Sequence, residues 1–320
     1  MDTINFLFSQ MLIFAIPLLI VALAGLFSER SGVINIALEG IMIFGAFVGI
    51  LFMYNMQKNG ILTGQLLLIA SLLVAGISGA LFSALHAFAS INVKANQTIS
   101  GTALNLFAPA LGFFVAKTIF DGLHTIPFTN EFIIERVPFL SDIPVIGGLL
   151  FNRFYITTFL GLIILIISWF VLYRTKVGLH IRACGEYPQA ADAAAINVYK
   201  TRYIGVVVSG FLAGIGGLVY VIPITTEFGS NVASYGFLAL AVLIFGNWNP
   251  WRIAIAALFF ATAKTLSVTY TAIPFLLESG ISPIYFKLLP YVATLILLAF
   301  TSKNSASPKA LGEPYDKGKR

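Results

Sequence analysis

Two ionisable side chains lie inside otherwise uncharged apolar stretches: Glu39, in SGVINIALEG, and Lys264, in FFATAKTLSV. A charge in hydrocarbon is costly, so each must face protein or water or reach the interface. Glu39 lies four residues after Asn35, on the same helical face. Together they could line a polar path or contact a solute. The simpler role for Glu39 is to accept hydrogen bonds from neighbouring helices and fix a bend near Gly32. Lys264 could pair with Glu39 as an ion-coupling couple, line a cavity, or snorkel to the outer surface. A second polar cluster, Gln97, Thr98, Ser100, Thr102 and Asn105, opens an apolar segment. Thr98, Gly101 and Asn105 share one face of it, as pore-lining residues would. Phe245 and Trp248 bracket Gly246-Asn247 in IFGNWNPW, which reads as a helix end and turn at an interface.

Other chemistries are absent from the sequence. His86, His124 and His180 have no metal-ligand spacing, and the single Cys184 excludes a disulfide framework and a Cys-based cluster, so no metal site is expected. No phosphate-binding GxxxxGK[ST], HExxH, GxSxG or pre-helical GxGxxG occurs. No catalytic residue is assigned and no cofactor is expected on this chain. If ATP powers it, ATP and magnesium belong on a partner. The net charge of +6 needs no nucleic acid, because basic loops at one membrane face account for it.

The elements that would position these residues are membrane-spanning helices. The 320 residues are 58% hydrophobic and 10% charged, and mean hydropathy is +0.93. Soluble domains carry about 25% charged residues. A water-soluble core cannot hide this much apolar surface, whereas lipids can. The apolar runs are continuous rather than alternating, which excludes a barrel. The expected fold is an all-α polytopic bundle of about nine spans, within a range of eight to ten. They are placed at 7–26, 35–54, 65–89, 97–118, 154–173, 203–223, 234–246, 252–271 and 286–302. The 234–246 run is short, as discontinuous helices beside a transport path are. The first ten residues carry no Lys or Arg, so the first run is expected to remain as a spanning helix with an outside start. Small residues recur every four positions (Ala75, Gly79 and Ser83; Gly45 and Gly49; Gly210 and Gly214), as in close helix-packing seams.

Between Arg174 and Arg202 lies a soluble, Ala-rich island, GLHIRACGEYPQAADAAAINV, whose layout suits a peg that docks into another protein. With this island and the tail placed inside, thirteen basic residues face the cytoplasm (Arg30, Lys94, five from Arg174 to Arg202, Arg252 and five in the tail). Five face outside (Lys58, Lys117, Arg136, Arg153 and Lys287). The transmembrane region is thus 1–302, with an inner loop at 174–202 and an external loop at 119–153. The polar tail 303–320 is expected to be disordered and cytoplasmic.

SERSGVINIALEGIMIFGAF (28–47), GLHIRACGEYPQAADAAAINV (178–198) and VSGFLAGIGGLVYV (208–221) resemble the permease subunits of bacterial ABC importers for nucleosides, ribose and related simple sugars. The nucleoside branch is the nearest. ANQTISGTALNLF and GFLALAVLIFGNWNP extend the likeness over most of residues 20–270. The resemblance implies a type II-like permease in the bacterial cell membrane, one of two homologous subunits lining a path, equal or different. It also implies an extracytoplasmic substrate-binding lipoprotein and a cytoplasmic ABC ATPase. The island becomes the coupling loop, with Gly185 as its hinge and Pro188–Ala195 as the docking helix. Gly178, Arg182, Glu186, Ala190, Ala191 and Asp192 would join them in contacting the ATPase. Asn35, Glu39, Thr98, Asn105, Phe245 and Lys264 are the path candidates. Three positions depart from the family: Ala195 stands where Gly is usual, Asp192 where Arg is frequent, and Lys264 where an acidic or neutral residue is commoner. Riboflavin, ribose and galactose remain alternative solutes. A secondary transporter coupling through Glu39 and Lys264 remains an alternative class.

Overall fold

The computed structural model describes residues 2–137, 152–273 and 306–318, with isolated positions between these segments. Its helices are α1 (Asp2–Arg30), α2 (Leu38–Lys58), α3 (Gly64–Ala87), α4 (Gln97–Ile119) and α5 (Thr157–Arg174). They continue as α6 (Lys176–Glu186), α7 (Pro188–Ala193), α8 (Val198–Val221), α9 (Tyr235–Phe245) and α10 (Pro250–Thr269). A π-helical turn, Phe88–Asn92, extends α3. Among the described residues seven helices are long and apolar enough to cross a membrane: α1, α2, α3 with its π turn, α4, α5, α8 and α10. They coincide with seven of the nine expected spans. The expected 286–302 span falls largely outside the described residues.

The remaining expected span, 234–246, is α9, and it is too short to cross a membrane as one helix. Its eleven residues make about 16 Å of helix against about 30 Å of hydrocarbon. The chain before it starts at the opposite end of the bundle. There, β1 (Ile126–Pro127) pairs antiparallel with β4 (Glu227–Phe228), and Asn130 donates to the Ile222 carbonyl at 2.8 Å. A second short ladder joins β2 (Ile133–Arg136) to β3 (Asn152–Tyr155). Residues 126–155 therefore contribute β1, β2 and β3 to two small strand pairs, the first completed by β4, on an otherwise helical fold. From β4 the chain descends without regular structure to Ser234, then continues as α9.

α8 is the central helix, packed by α1, α2 and α3. Backbones touch at the expected seams. A Cβ on Gly214 would lie 2.2 Å from the Ala75 carbonyl oxygen, and one on Gly45 would lie 2.4 Å from the Gly214 Cα. Lipid gives helices no hydrophobic reason to associate, so such close approach supplies the packing. α4 is the least covered long helix, presenting Ile99, Leu106, Phe107, Phe113 and Phe114 outward.

The tail departs from the expected disorder. Ala310 N–H donates to the Gly185 carbonyl at 2.9 Å and Gly312 N–H to that of Gly32 at 3.1 Å. Arg202, 1% exposed, donates through Nη1 to the Glu313 carbonyl at 2.8 Å. Lys94 pairs with Asp316 at 3.1 Å, and Tyr315 is buried beside Cys184, Ala191 and Val198. Polar, proline-bearing composition concealed this strap, because its backbone rather than its side chains makes many of the bonds. It gathers residues 32, 94, 185, 202 and 247 at one end of the bundle.

Candidate functional site

Segment 31–37, between α1 and α2, is non-helical although it lies within the bundle. Its peptide groups therefore need partners from elsewhere in the fold. Ser28 Oγ donates to the Val33 carbonyl at 2.8 Å, and Ser31 Oγ to that of Ser28 at 2.6 Å. Gly32 takes φ +92°, a left-handed conformation that favours glycine, and it lies close beneath the Arg202 guanidinium. Ile34 N–H donates to Gln97 Oε1 at 2.7 Å, and His86 Nε2 meets the Ile34 carbonyl at 2.8 Å. A carbonyl can only accept, so Nε2 carries the His86 proton. Asn105 spans the start of α2: its Nδ2 donates to the Ile36 carbonyl at 2.9 Å, and its Oδ1 accepts from Gly40 N–H at 2.7 Å.

The first turn of α2, directly after this segment, holds α9 by its head. Glu39 Oε1 accepts from Ser234 N–H at 2.9 Å, and Oε2 from Gly236 N–H at 2.6 Å. A carboxylate at a helix N-terminus suits the dipole and satisfies donors that have no intrahelical partner. Gly236 lets the two elements meet, since a Cβ there would lie 2.5 Å from Glu39 Cα. The simpler expectation for Glu39 therefore describes its geometry, with α9 as the neighbour it binds.

The path candidates are not brought into one constellation. Asn35 is fully buried, donating to Ser209 Oγ at 2.9 Å, and its Oδ1 has no partner among the described residues. Asn105 and Glu39 are directed at backbone. Thr98 is exposed at the start of α4, in a turn capped by the Asn96 side chain. Phe245 is half-buried, 5.4 Å from the Phe260 ring. Lys264 is half-buried on α10, and no ion pair joins it to Glu39 among the described residues. The Glu39–Lys264 couple that a secondary transporter would use is thus not formed.

The coupling candidates form one compact unit. Thr175 caps α6, its hydroxyl accepting from Gly178 N–H at 3.2 Å. Gly178 packs on the Val171 carbonyl, and Arg182 lies 4.9 Å over the Tyr173 ring. Gly185 stands inside the last turn of α6 rather than at a bend. Glycine is needed because a Cβ would come within 2.2 Å of the Arg30 carbonyl oxygen. The chain turns at Tyr187, and Pro188 then opens α7 at a first-turn position. Ala191 is buried, whereas Glu186, Ala190 and Ala195 are exposed and Asp192 is half-buried. The docking helix is shorter than expected, ending at Ala193, and Ala195 takes φ +60°. This left-handed conformation favours glycine. A cavity of about 650 Å³ opens between α7 and the tail, lined in part by Tyr187, Gln189, Asp192, Tyr315 and Lys317.

Cys184 lies on the inner side of α6 and is fully buried. Burial pushes its thiol pKa up, against smaller opposing effects of the Thr201 hydroxyl and the Arg202 charge. Sequence reading missed Glu29, Arg30 and Arg202. The signal available was an adjacent acid–base pair ending a long uncharged helix. No metal-ligating group of three His, Cys, Asp or Glu occurs among the described residues.

Comparison with known proteins gives a consistent picture. The family described as branched-chain amino acid transport system / permease component matches residues 7–298. The guanosine ABC transporter permease protein NupQ of Bacillus subtilis is 44% identical over 311 residues, 97% of this chain and 96% of that protein. The nucleoside ABC transporter permease protein NupC of Lactococcus lactis subsp. cremoris is 40% identical over 319 residues, 99% of each. The probable riboflavin import permease protein RfuC of Treponema pallidum is 26% identical over 242 residues, 74% of this chain and 61% of that protein. No solved structure matches. A bundle of spanning helices, an irregular segment leading into a turn that grips a half-helix, and a match along nearly the whole chain lead to one assignment: the chain belongs to the permease-component family of ABC transporters.

Proposed function

We propose that this chain is one of two permease subunits through which an ABC importer takes up nucleosides. The observation that carries the reading is the 44% identity, over 97% of the chain, to a permease named for guanosine. The relative named for nucleosides, alike over its full length, supports it. Lactococcus lactis has two permeases named for nucleosides, NupC and NupB, both similar to this chain, which favours a pair of unlike subunits here. The outward apolar face of α4, the least covered of the described spans, is the surface we assign to the second subunit.

In this reading the basic end of the bundle, bearing α6, α7 and the tail, faces the cytoplasm and meets an ATPase that holds ATP and magnesium. The β1–β4 end meets a substrate-binding lipoprotein. Alternation between outward- and inward-open states is biased by nucleotide through differential contacts at α7. A neutral, polar, aromatic solute suits a membrane interior with few charges. The test is uptake of labelled guanosine by cells in which the chromosomal copy is deleted and then restored. Uptake should vanish on deletion and return on complementation, with excess unlabelled nucleosides competing. Competition by riboflavin or ribose in place of nucleosides would assign the other solute class.

A further inference from the structure

We propose that Glu29, Arg30 and Trp248 are positioning residues that carry displacement of the coupling loop to α9. That half-helix, α9, is held at both ends. Its head is held by Glu39 in α2, and its foot is held by Arg30 and Glu29, nine and ten residues earlier at the end of α1. Trp248 follows α9 in a turn in which Asn247 and Trp248 are both left-handed, at φ 49° and 52°. Trp248 is 4% exposed, and its indole Nε1–H donates to Glu29 Oε2 at 2.6 Å. Arg30 donates to the Trp248 carbonyl through Nε at 3.3 Å and Nη2 at 2.8 Å. The third guanidinium nitrogen, Nη1, pairs with Glu186 at 3.7 Å, at the end of α6. One planar group thus joins the coupling loop to the turn below α9.

Around it, Gly185 packs directly on the Arg30 carbonyl, so α6 and the end of α1 move together. The route is continuous: Glu186 and Gly185, Arg30, Trp248, α9, and then Ser234 and Gly236 on Glu39. The SERSGVINIALEG motif is therefore a bracket closed on a half-length helix, with its open side tied to α6. A rigid element held at both ends transmits a push with little loss.

The proposal rests on the reading that residues 174–202 dock the ATPase, and its test does not depend on the solute. The intact importer, with its ATPase, is purified with Cys184→Ala and Ser234→Cys in this chain. Maleimide labelling at position 234 is then followed with and without ATP and vanadate. We expect the labelling rate to change about 5-fold or more with nucleotide. Trp248→Phe and Glu29→Leu should flatten that change towards none while the ATPase co-purifies at native yield. Glu29→Gln, which keeps an acceptor for the indole N–H, should preserve it. The proposal is overturned if labelling is insensitive to nucleotide in the parent, or if Trp248→Phe and Glu29→Leu leave the change intact. It is also overturned if Glu29→Gln flattens the change as fully as Glu29→Leu, or if the first two variants release the ATPase. Guanosine uptake by the same parent complex, measured in vesicles, tests the solute reading separately.

Discussion

At the scale of single residues, the loop of residues 174–202 shows how one atom decides a contact. Gly185 was expected as a hinge, yet its conformation is ordinary and its lack of a side chain is what matters. Gly185→Ala forces a methyl against the Arg30 carbonyl oxygen. Overpacking of this kind costs about 1–3 kcal/mol, so the solubilised protein should melt at a lower temperature and lose transport before it loses insertion. Ala195 makes the opposite case. It is a left-handed alanine after a helix, and left-handed backbone costs a Cβ-bearing residue roughly 1 kcal/mol. Ala195→Gly should therefore be neutral to stabilising by up to about 1 kcal/mol in thermal unfolding, in spite of glycine's looser unfolded chain. Cys184 gives a pH-dependent prediction. Its folded pKa lies above the ordinary value of 9.0 because the thiol is buried. The folded protein keeps the proton at a pH where the unfolded chain has lost it. This contribution to stability is constant below the unfolded value and falls as pH rises through it towards the folded value. Maleimide at neutral pH should label Cys184 slowly in the native protein and readily after denaturation; equal rates would contradict the burial.

At the scale of elements, α9 is the unit on which the site depends. Glu39 satisfies two backbone donors at its head, and hydrogen bonds to a charged group contribute about 1.5–3 kcal/mol each in water-exposed reference systems. Glu39→Leu leaves both donors unpaired at membrane depth, and should lower the melting temperature and abolish uptake. Glu39→Gln keeps one acceptor oxygen and should retain part of both. Equal behaviour of the two variants would remove Glu39 from this role. The spans were legible in the sequence because apolar runs of about twenty residues have one physical explanation. The role of Glu39 was also legible as a bond acceptor, since a buried carboxylate must find donors. Its partner was not legible, because Ser234 and Gly236 are almost two hundred positions away and offer backbone rather than side chains. The same reason hid the Arg30–Trp248 contact, which one side chain makes to a carbonyl.

At the scale of the whole molecule, the end that carries α6 and α7 is assembled from five separate parts of the chain and closed by the tail. Residues 306–318 contribute two backbone hydrogen bonds to glycine carbonyls, one acceptor to the buried Arg202, one ion pair to Lys94 and a buried tyrosine against Ala191. The exposed ion pair adds little, about 0–1 kcal/mol. The larger consequence of removing the tail falls on Arg202, whose guanidinium would lose its only hydrogen-bond acceptor among the described residues. A buried polar group without a partner is costly, so the Arg202 side chain would draw in water and loosen the base of α8 beside Cys184 and Ala191. Truncation after Ser307 should therefore leave the helical content of the bundle unchanged by circular dichroism, while making Cys184 accessible to maleimide and the 186–198 segment sensitive to protease. Tyr315→Ala in the full chain should produce a weaker version of both effects, because Ala191 and Val198 lose an apolar cover of about 1.5–3 kcal/mol while the backbone strap persists. A truncated chain whose Cys184 stayed as protected as before would show that α7 holds its place without the strap.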